Sequence, residues 1–188
     1  MLIQTALVGL LNRNFKVTIF ILRRDLIKGM LIAGIALSTE TSSAARILHP
    51  EEVLQWSPSG YLSNFMCKCG CRGFEMDEDF MDRFQLMRVE FIKEKNIDII
   101  NHISSVYRCK NHPIESKKKN NGMGPHTRGK AVDIKIYGND ANALFYIAKK
   151  YMTGIGMAQR GRNKRSRYIH IDSLNPKEAR RPTIWQYK

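Results

Sequence analysis

Two short stretches of the chain alternate apolar and polar residues with the period of a β-strand. In Ala131-Val132-Asp133-Ile134-Lys135-Ile136, Val132, Ile134 and Ile136 fall on one face, and Ala131, Asp133 and Lys135 on the other. In Tyr168-Ile169-His170-Ile171-Asp172 the apolar face is Ile169 and Ile171, while Tyr168, His170 and Asp172 share the opposite one. Residues 97–106 suit a third strand that delivers Tyr107 and Arg108 to a sheet edge, and Ile155-Gly156-Met157 begins another. Helical spacing appears twice. Phe80, Phe84, Met87 and Phe91 recur at three- and four-residue intervals behind Asp77, with acidic residues crowding the first turn. That pattern predicts a helix to about Lys95, its Met and aromatic stripe facing the core. Asn139 is the expected cap of a second helix, Asp140 to about Met152, which buries Leu144, Ile147, Ala148 and Tyr151 and stops at Gly154. Residues 110–124 read as a polar, basic loop, His102 as a structural residue, and Trp185 as the side chain that packs the carboxyl terminus down.

Residues 1–45 do not follow either period. Arg23-Arg24-Asp25-Leu26-Ile27-Lys28 precedes an apolar run from Gly29 to Leu37, and small and hydroxyl residues follow, ending Ser43-Ala44-Ala45. A basic region, a short apolar core and a small-residue cleavage site make up an export signal. The paired arginines resemble a twin-arginine signal, with Asp25 as an added charge and Leu26 where Phe is usual. The apolar run is shorter than the ~20 residues a spanning helix needs, so no stable membrane span is expected once the signal is cleaved. A signal anchor retained in the membrane is the alternative. Residues 46–188 are then the functional domain, periplasmic or secreted.

Composition sharpens this picture at one point. The 188 residues carry a formal net charge of +14, which favours anionic partners such as nucleic acid, acidic lipid or an anionic wall polymer. Cleavage after Ala45 leaves 26 basic and 15 acidic residues, a net +11, so the basic character belongs to the domain. The dense clusters are Arg160, Arg162, Lys164, Arg165 and Arg167, and Lys117-Lys118-Lys119. Either can be a plain solvated loop. No aromatic interleaves with them to stack on bases, so nucleic acid is not the expected partner.

The chemistry sits on the two alternating stretches. If both apolar faces enter one core, Asp133 and His170 project from the same side of a sheet. Gly129 lets the preceding turn bring His126 back over it. Two imidazoles and one carboxylate converging this way make a three-ligand zinc site with an open fourth position, the arrangement of a catalytic metal. The plain alternative is a satisfied core histidine and a solvent-facing Asp. Asp172 lies on the same face as His170 but ~6.5 Å along the strand, better placed as a base or as an orienter of an imidazole than as a fourth ligand. Cys67, Cys69 and Cys71 alternate in a turn-rich region, without Cys-x-x-Cys spacing, and Cys109 follows Arg108 directly. A bridge from Cys109 to one of the three, four free thiols, and a structural metal held by all four stay open.

His126-x-x-Gly129-x-Ala131-x-Asp133, followed by His170-Ile171-Asp172, resembles the signature of the zinc D-Ala-D-Ala peptidases and murein endopeptidases. That family shares its fold with lysostaphin-type peptidases and the hedgehog signalling domain. Ser105-Val106-Tyr107-Arg108 is similar to the family's Ser-Gly-Tyr-Arg strand end, and Phe65-Met66-Cys67-Lys68-Cys69-Gly70-Cys71 to a cysteine-rich opening seen in some members. The resemblance covers roughly residues 60 to 185. It implies an α+β domain, an antiparallel sheet with flanking helices, and a zinc peptidase acting on peptidoglycan. It implies His126, Asp133 and His170 as zinc ligands and Arg108 as the group that holds an oxyanion or a substrate carboxylate. The chain departs from the pattern at Gly124, where Ser is common, and at Val106 in place of Gly; it also lacks a His or Glu shortly before the last ligand. Two rivals are a zinc-bearing wall-binding or signalling module of the same fold without a working base, and a nucleic-acid-binding protein driven by charge.

Overall fold

The computed structural model describes residues 46–53, 62–118, 122–161 and 163–188, which all lie within one unit, Thr41–Lys188. The expected export segment, residues 1–45, lies outside the described residues, as do Lys119 and Arg162 of the basic clusters. In chain order the elements are β1 (Ile47–Leu48), α1 (Pro50–Val53), α2 (Leu62–Phe65), β2 (Met76–Asp77), α3 (Glu78–Lys95), β3 (Ile103–Ser105), β4 (Ala131–Ile134), α4 (Gly138–Tyr151), β5 (Gly154–Ala158), β6 (Tyr168–Asp172) and β7 (Thr183–Gln186). The chain is α+β: a five-stranded sheet, a small β1–β2 ribbon, and two long helices.

Helix α3 forms as its sequence predicts. The Asp77 carboxylate accepts from the Phe80 N–H at 2.9 Å, Glu78 and Asp79 occupy the first turn, and Lys93 and Lys95 the last. Both charge placements oppose the helix dipole favourably. Phe80, Phe84, Met87 and Phe91 are all buried. Helix α4 runs the opposite way across it. Arg83 near the start of α3 reaches the Tyr151 carbonyl at the end of α4, and Lys95 at the end of α3 pairs with Asp140 in the first turn of α4. Leu144, Ile147 and Ala148 enter the core; Tyr151 is half-buried instead, its hydroxyl donating to Glu90 at 2.6 Å. The cap of α4 is Tyr137, so Asn139 lies inside the first turn. No helix among the described residues is long and apolar enough to cross a membrane.

Two expectations are corrected. Residues 97–106 are not one strand. Asp98 accepts from the Ile100 N–H and caps a 3-10 turn over Ile99–His102, leaving only Ile103–Ser105 extended. Adjacent Ile99 and Ile100 are both buried, which a turn permits and a half-exposed strand does not. The sheet, ordered β3-β4-β6-β5-β7, is antiparallel except that β7 runs parallel to β5. The reason is where the chain re-enters: Asp172 ends β6 beside Gly154, and Thr183 begins β7 on the other side of the same Gly154. The connection hops over one strand at one end of the sheet, so β7 runs antiparallel to β6 and therefore parallel to β5.

Candidate metal centre

Strand register sets the first two donors. β4 and β6 are antiparallel with Asp133 directly opposite His170, and their apolar partners Val132, Ile134, Ile169 and Ile171 are buried on the other face. A one-residue slip of either strand would send its own polar group into that core, so the hydrophobic pattern holds them in place. His126 arrives from a single 3-10 turn, His126–Arg128, closed by Gly129 at φ 66. A Cβ on Gly129 would collide with the backbone of Glu75, Met76 and Asp77, and the Asp77 N–H donates to the Gly129 carbonyl at 3.2 Å. Only glycine lets the turn sit this close to β2.

The three donor atoms form a triangle. His170 Nδ1 is 2.8 Å from Asp133 Oδ1, His126 Nε2 is 3.2 Å from His170 Nδ1, and His126 Nε2 is 3.3 Å from Asp133 Oδ1. A tetrahedral zinc with bonds of ~2.0–2.1 Å needs such donors roughly 3.3 Å apart. The remaining ring nitrogens are committed in a way that fits. His126 Nδ1 faces the Val106 carbonyl, which can only accept, so Nδ1 carries the proton and Nε2 offers its lone pair to the triangle. His170 Nε2 lies 3.2 Å from Asp172 Oδ2, which leaves Nδ1 as the inward donor. His126, Asp133 and His170 are 2, 8 and 4% exposed and could hold a metal ion.

Charge follows the same geometry. Burial alone would raise the Asp133 carboxyl, but hydrogen bonds to His126 and His170 and their charges hold it well below the usual carboxylate range. Burial lowers His126, in spite of Asp133. Burial also acts against the charged form of His170, and there Asp133 and Asp172 on either side win and raise it.

Asp172 is fully buried behind His170. Arg181 grips it through Nε at 2.9 Å and Nη2 at 2.6 Å, and the Leu174 N–H donates to it at 3.2 Å. It does not line the pocket in front of the triangle. Gly154 makes the room: a Cβ there would occupy the space of the Asp172 carboxylate. Arg108 does reach the pocket, and each of its nitrogens has a partner. Nη2 donates to Asp133 Oδ2, Nη1 to Glu115 Oε1 at 3.1 Å, and Nε to the Ser105 hydroxyl at 2.9 Å.

The pocket is open and holds about 340 Å³, with Asp133 as the one carboxylate on its lining among the described residues. Two of its walls escaped the sequence reading, as did a buried acid that holds two of its lining cations. Trp185 does more than fasten the terminus: its ring lies 5.4 Å from the His170 ring, in space that Gly156 leaves open, and Arg181 stacks over it. Tyr187 pairs with Tyr168 at 5.5 Å across the mouth. Burial raises Tyr168 and pushes Tyr187 up to about 12, so both keep their hydroxyl protons. Glu115, fully buried, holds Arg108 and Lys118 together. The signals were there: a Gly-x-Gly strand with one face bare, and a single acid inside a basic loop.

A second cluster lies at Cys67, Cys69, Cys71 and Cys109, none of them in a disulfide. Their sulfurs all lie within 4.8 Å of one another and could also hold a metal ion. Compared with known proteins, the chain matches no family model, no curated protein and no solved structure.

Proposed function

We propose that this protein is a zinc-dependent hydrolase of the hedgehog and D-Ala-D-Ala peptidase type, exported from the cytoplasm and cutting amide bonds in peptidoglycan. The observation that carries this reading is the buried triangle of His126, Asp133 and His170 opening onto a solvent-accessible pocket. Zinc held there by His126, Asp133 and His170 would supply Lewis acidity toward a carbonyl and would acidify water toward neutral pH. The surrounding chain does the positioning. Val106 and Asp172 fix the two imidazoles in the tautomers that would ligate, and Arg108 ties up Asp133 Oδ2, which leaves Oδ1 as the oxygen that would serve as a ligand. Asp172 is therefore assigned to orientation rather than to proton transfer. Tyr168 and Tyr187 donate to charge developing on the attacked carbonyl oxygen, a role that needs protonated hydroxyls. Lys118 and Arg108 give the pocket wall the positive charge that a carboxylate-rich muropeptide complements.

One observation favours a second reading, a zinc-bearing wall-binding module. With Asp133 given to the metal, no uncommitted carboxylate lines the pocket among the described residues to serve as a base. Digestion of purified peptidoglycan, followed by mass analysis of released muropeptides with and without a chelator, separates the two. Chelator-sensitive release supports the hydrolase. Sedimentation with the wall and no release in either condition supports the module, and neither binding nor release overturns both.

A further inference from the structure

The four cysteines reach one another from two distant parts of the chain. Cys67, Cys69 and Cys71 lie on a turn bent by Gly70 at φ 95 and Arg72 at φ 55. Cys109 comes from the segment after β3, forty residues from Cys69. Cys67 Sγ and Cys69 Sγ are 3.4 Å apart, and Cys69 Sγ and Cys109 Sγ 3.5 Å. A tetrahedral zinc with bonds of ~2.3 Å sets its sulfurs roughly 3.8 Å apart. Two backbone N–H groups also point at sulfur: Gly73 N–H to Cys71 Sγ and Cys109 N–H to Cys67 Sγ, each 3.3 Å. Such donors stabilise the negative charge of metal-bound thiolates. The cationic neighbours in sequence, Lys68, Arg72 and Lys110, favour the same charge.

We infer that Cys67, Cys69, Cys71 and Cys109 form a closed tetrathiolate zinc site, separate from the open His126–Asp133–His170 centre. Binding joins four thiols to one Zn²⁺, releases their four protons, and involves no oxidation. With all four positions filled by protein, the site leaves none for water or substrate and is structural. Its position gives it a task. The Tyr107 N–H bonds to the Phe65 carbonyl and the Arg108 N–H to the His126 carbonyl, each at 3.3 Å, while the Val106 carbonyl meets His126 Nδ1. A metal that ties Cys109 to the 67–71 turn holds the segment that presents Val106 and Arg108 to the other centre.

The inference stands apart from the hydrolase reading, because the metal can be counted in a variant that lacks the open site. The full chain, purified under reducing conditions without chelator, is expected to carry two zinc ions by elemental analysis, and His170→Ala one. Cobalt exchanged into His170→Ala is expected to give intense sulfur-to-cobalt charge-transfer absorption in the near ultraviolet. Iodoacetamide is expected to spare the four thiols in the native zinc-loaded protein and to modify all four after unfolding with chelator. Mass loss showing disulfides in the purified wild type, iron in place of zinc, or no metal in a folded His170→Ala protein would overturn it. These readings use wild type and a variant outside the cluster, so misfolding of a cysteine variant cannot obscure them.

Discussion

The His126–Asp133–His170 triangle and the cysteine cluster gather their donors by opposite means. In the first, two of three donors are fixed by strand register, their partners on the far face are core isoleucines and valine, and every donor is nearly inaccessible. In the second, three of four donors lie on a turn, two sulfurs are exposed, and only Cys67 is buried. The buried apolar residues of β4 and β6 are reason enough for the sheet to form. The turn has no comparable core of its own. A site open to substrate can therefore rest on a rigid sheet, while a closed site can itself be the fastening between turn and sheet.

The two clusters separate most directly at Asp133. Asp133→Ala removes a donor and leaves the apolar face of β4 untouched. Expected are loss of one of two zinc ions, hydrolysis reduced to the level of the chelated protein, and near-native circular dichroism. An unchanged zinc count in this variant and in the His126→Ala and His170→Ala variants would show that the triangle holds no metal.

Next in size is Asp172→Asn. The amide keeps the volume beside Gly154 but weakens the grip on His170 Nε2 and leaves Arg181 without its buried charge partner. Zinc affinity at the open site is expected to fall by roughly 10–100-fold, with hydrolysis restored by added metal, as a positioning role requires. The cysteine metal is expected to be retained. Activity that falls ~10²-fold or more at full zinc occupancy would return Asp172 to proton transfer.

How much of this was legible in the sequence follows from the same contrast. Period-two alternation assigned the residues of 131–134 and 168–172 to faces, so Asp133 and His170 could be placed on one side of a sheet, while their direct pairing is a matter of strand register that alternation does not encode. Helix α3 was legible because its cap, charges and aromatic stripe all agree. The 3-10 turn at Ile99–His102 was not, because Asp98 spends its carboxylate on a local backbone N–H and on Arg88, a choice that hydrophobic pattern does not encode. Nor were Trp185, Tyr187 and Arg181, since a parallel edge strand after a ten-residue connection brings them over β5 and β6 by tertiary packing alone.

A smaller effect is expected at Gly129→Ala, which tests whether the turn carrying His126 depends on close backbone approach. The added Cβ meets the backbone of Glu75, Met76 and Asp77, and a φ of 66 strains any other residue. Destabilisation of about 1–3 kcal/mol in urea unfolding is expected. The open site should weaken with it while the cysteine metal stays. Wild-type stability and wild-type zinc affinity would show that the turn relaxes freely.

The smallest expected effect is at Asp77, the joint between α3 and the His126 turn. Asn caps a helix as well as Asp does, so Asp77→Asn keeps the bond to the Phe80 N–H. What it removes is a charge that the fold disfavours. Burial raises the Asp77 carboxyl above its ordinary 3.8, although the Phe80 N–H and Lys130 oppose that shift. The folded protein therefore binds this proton more tightly than the unfolded chain. The contribution to stability is fully present below the unfolded value and is lost as pH rises through the folded one. Wild type should thus lose stability relative to Asp77→Asn as pH rises from about 3 to 7. Paired urea titrations across that range measure the difference and cancel the other carboxylates. A difference that grows in wild type's favour with pH would mean that Lys130 and the helix dipole outweigh burial at this joint. Zinc binding at both centres should be untouched in either case, because Asp77→Asn alters no donor and keeps the backbone N–H that holds the Gly129 carbonyl of the His126 turn.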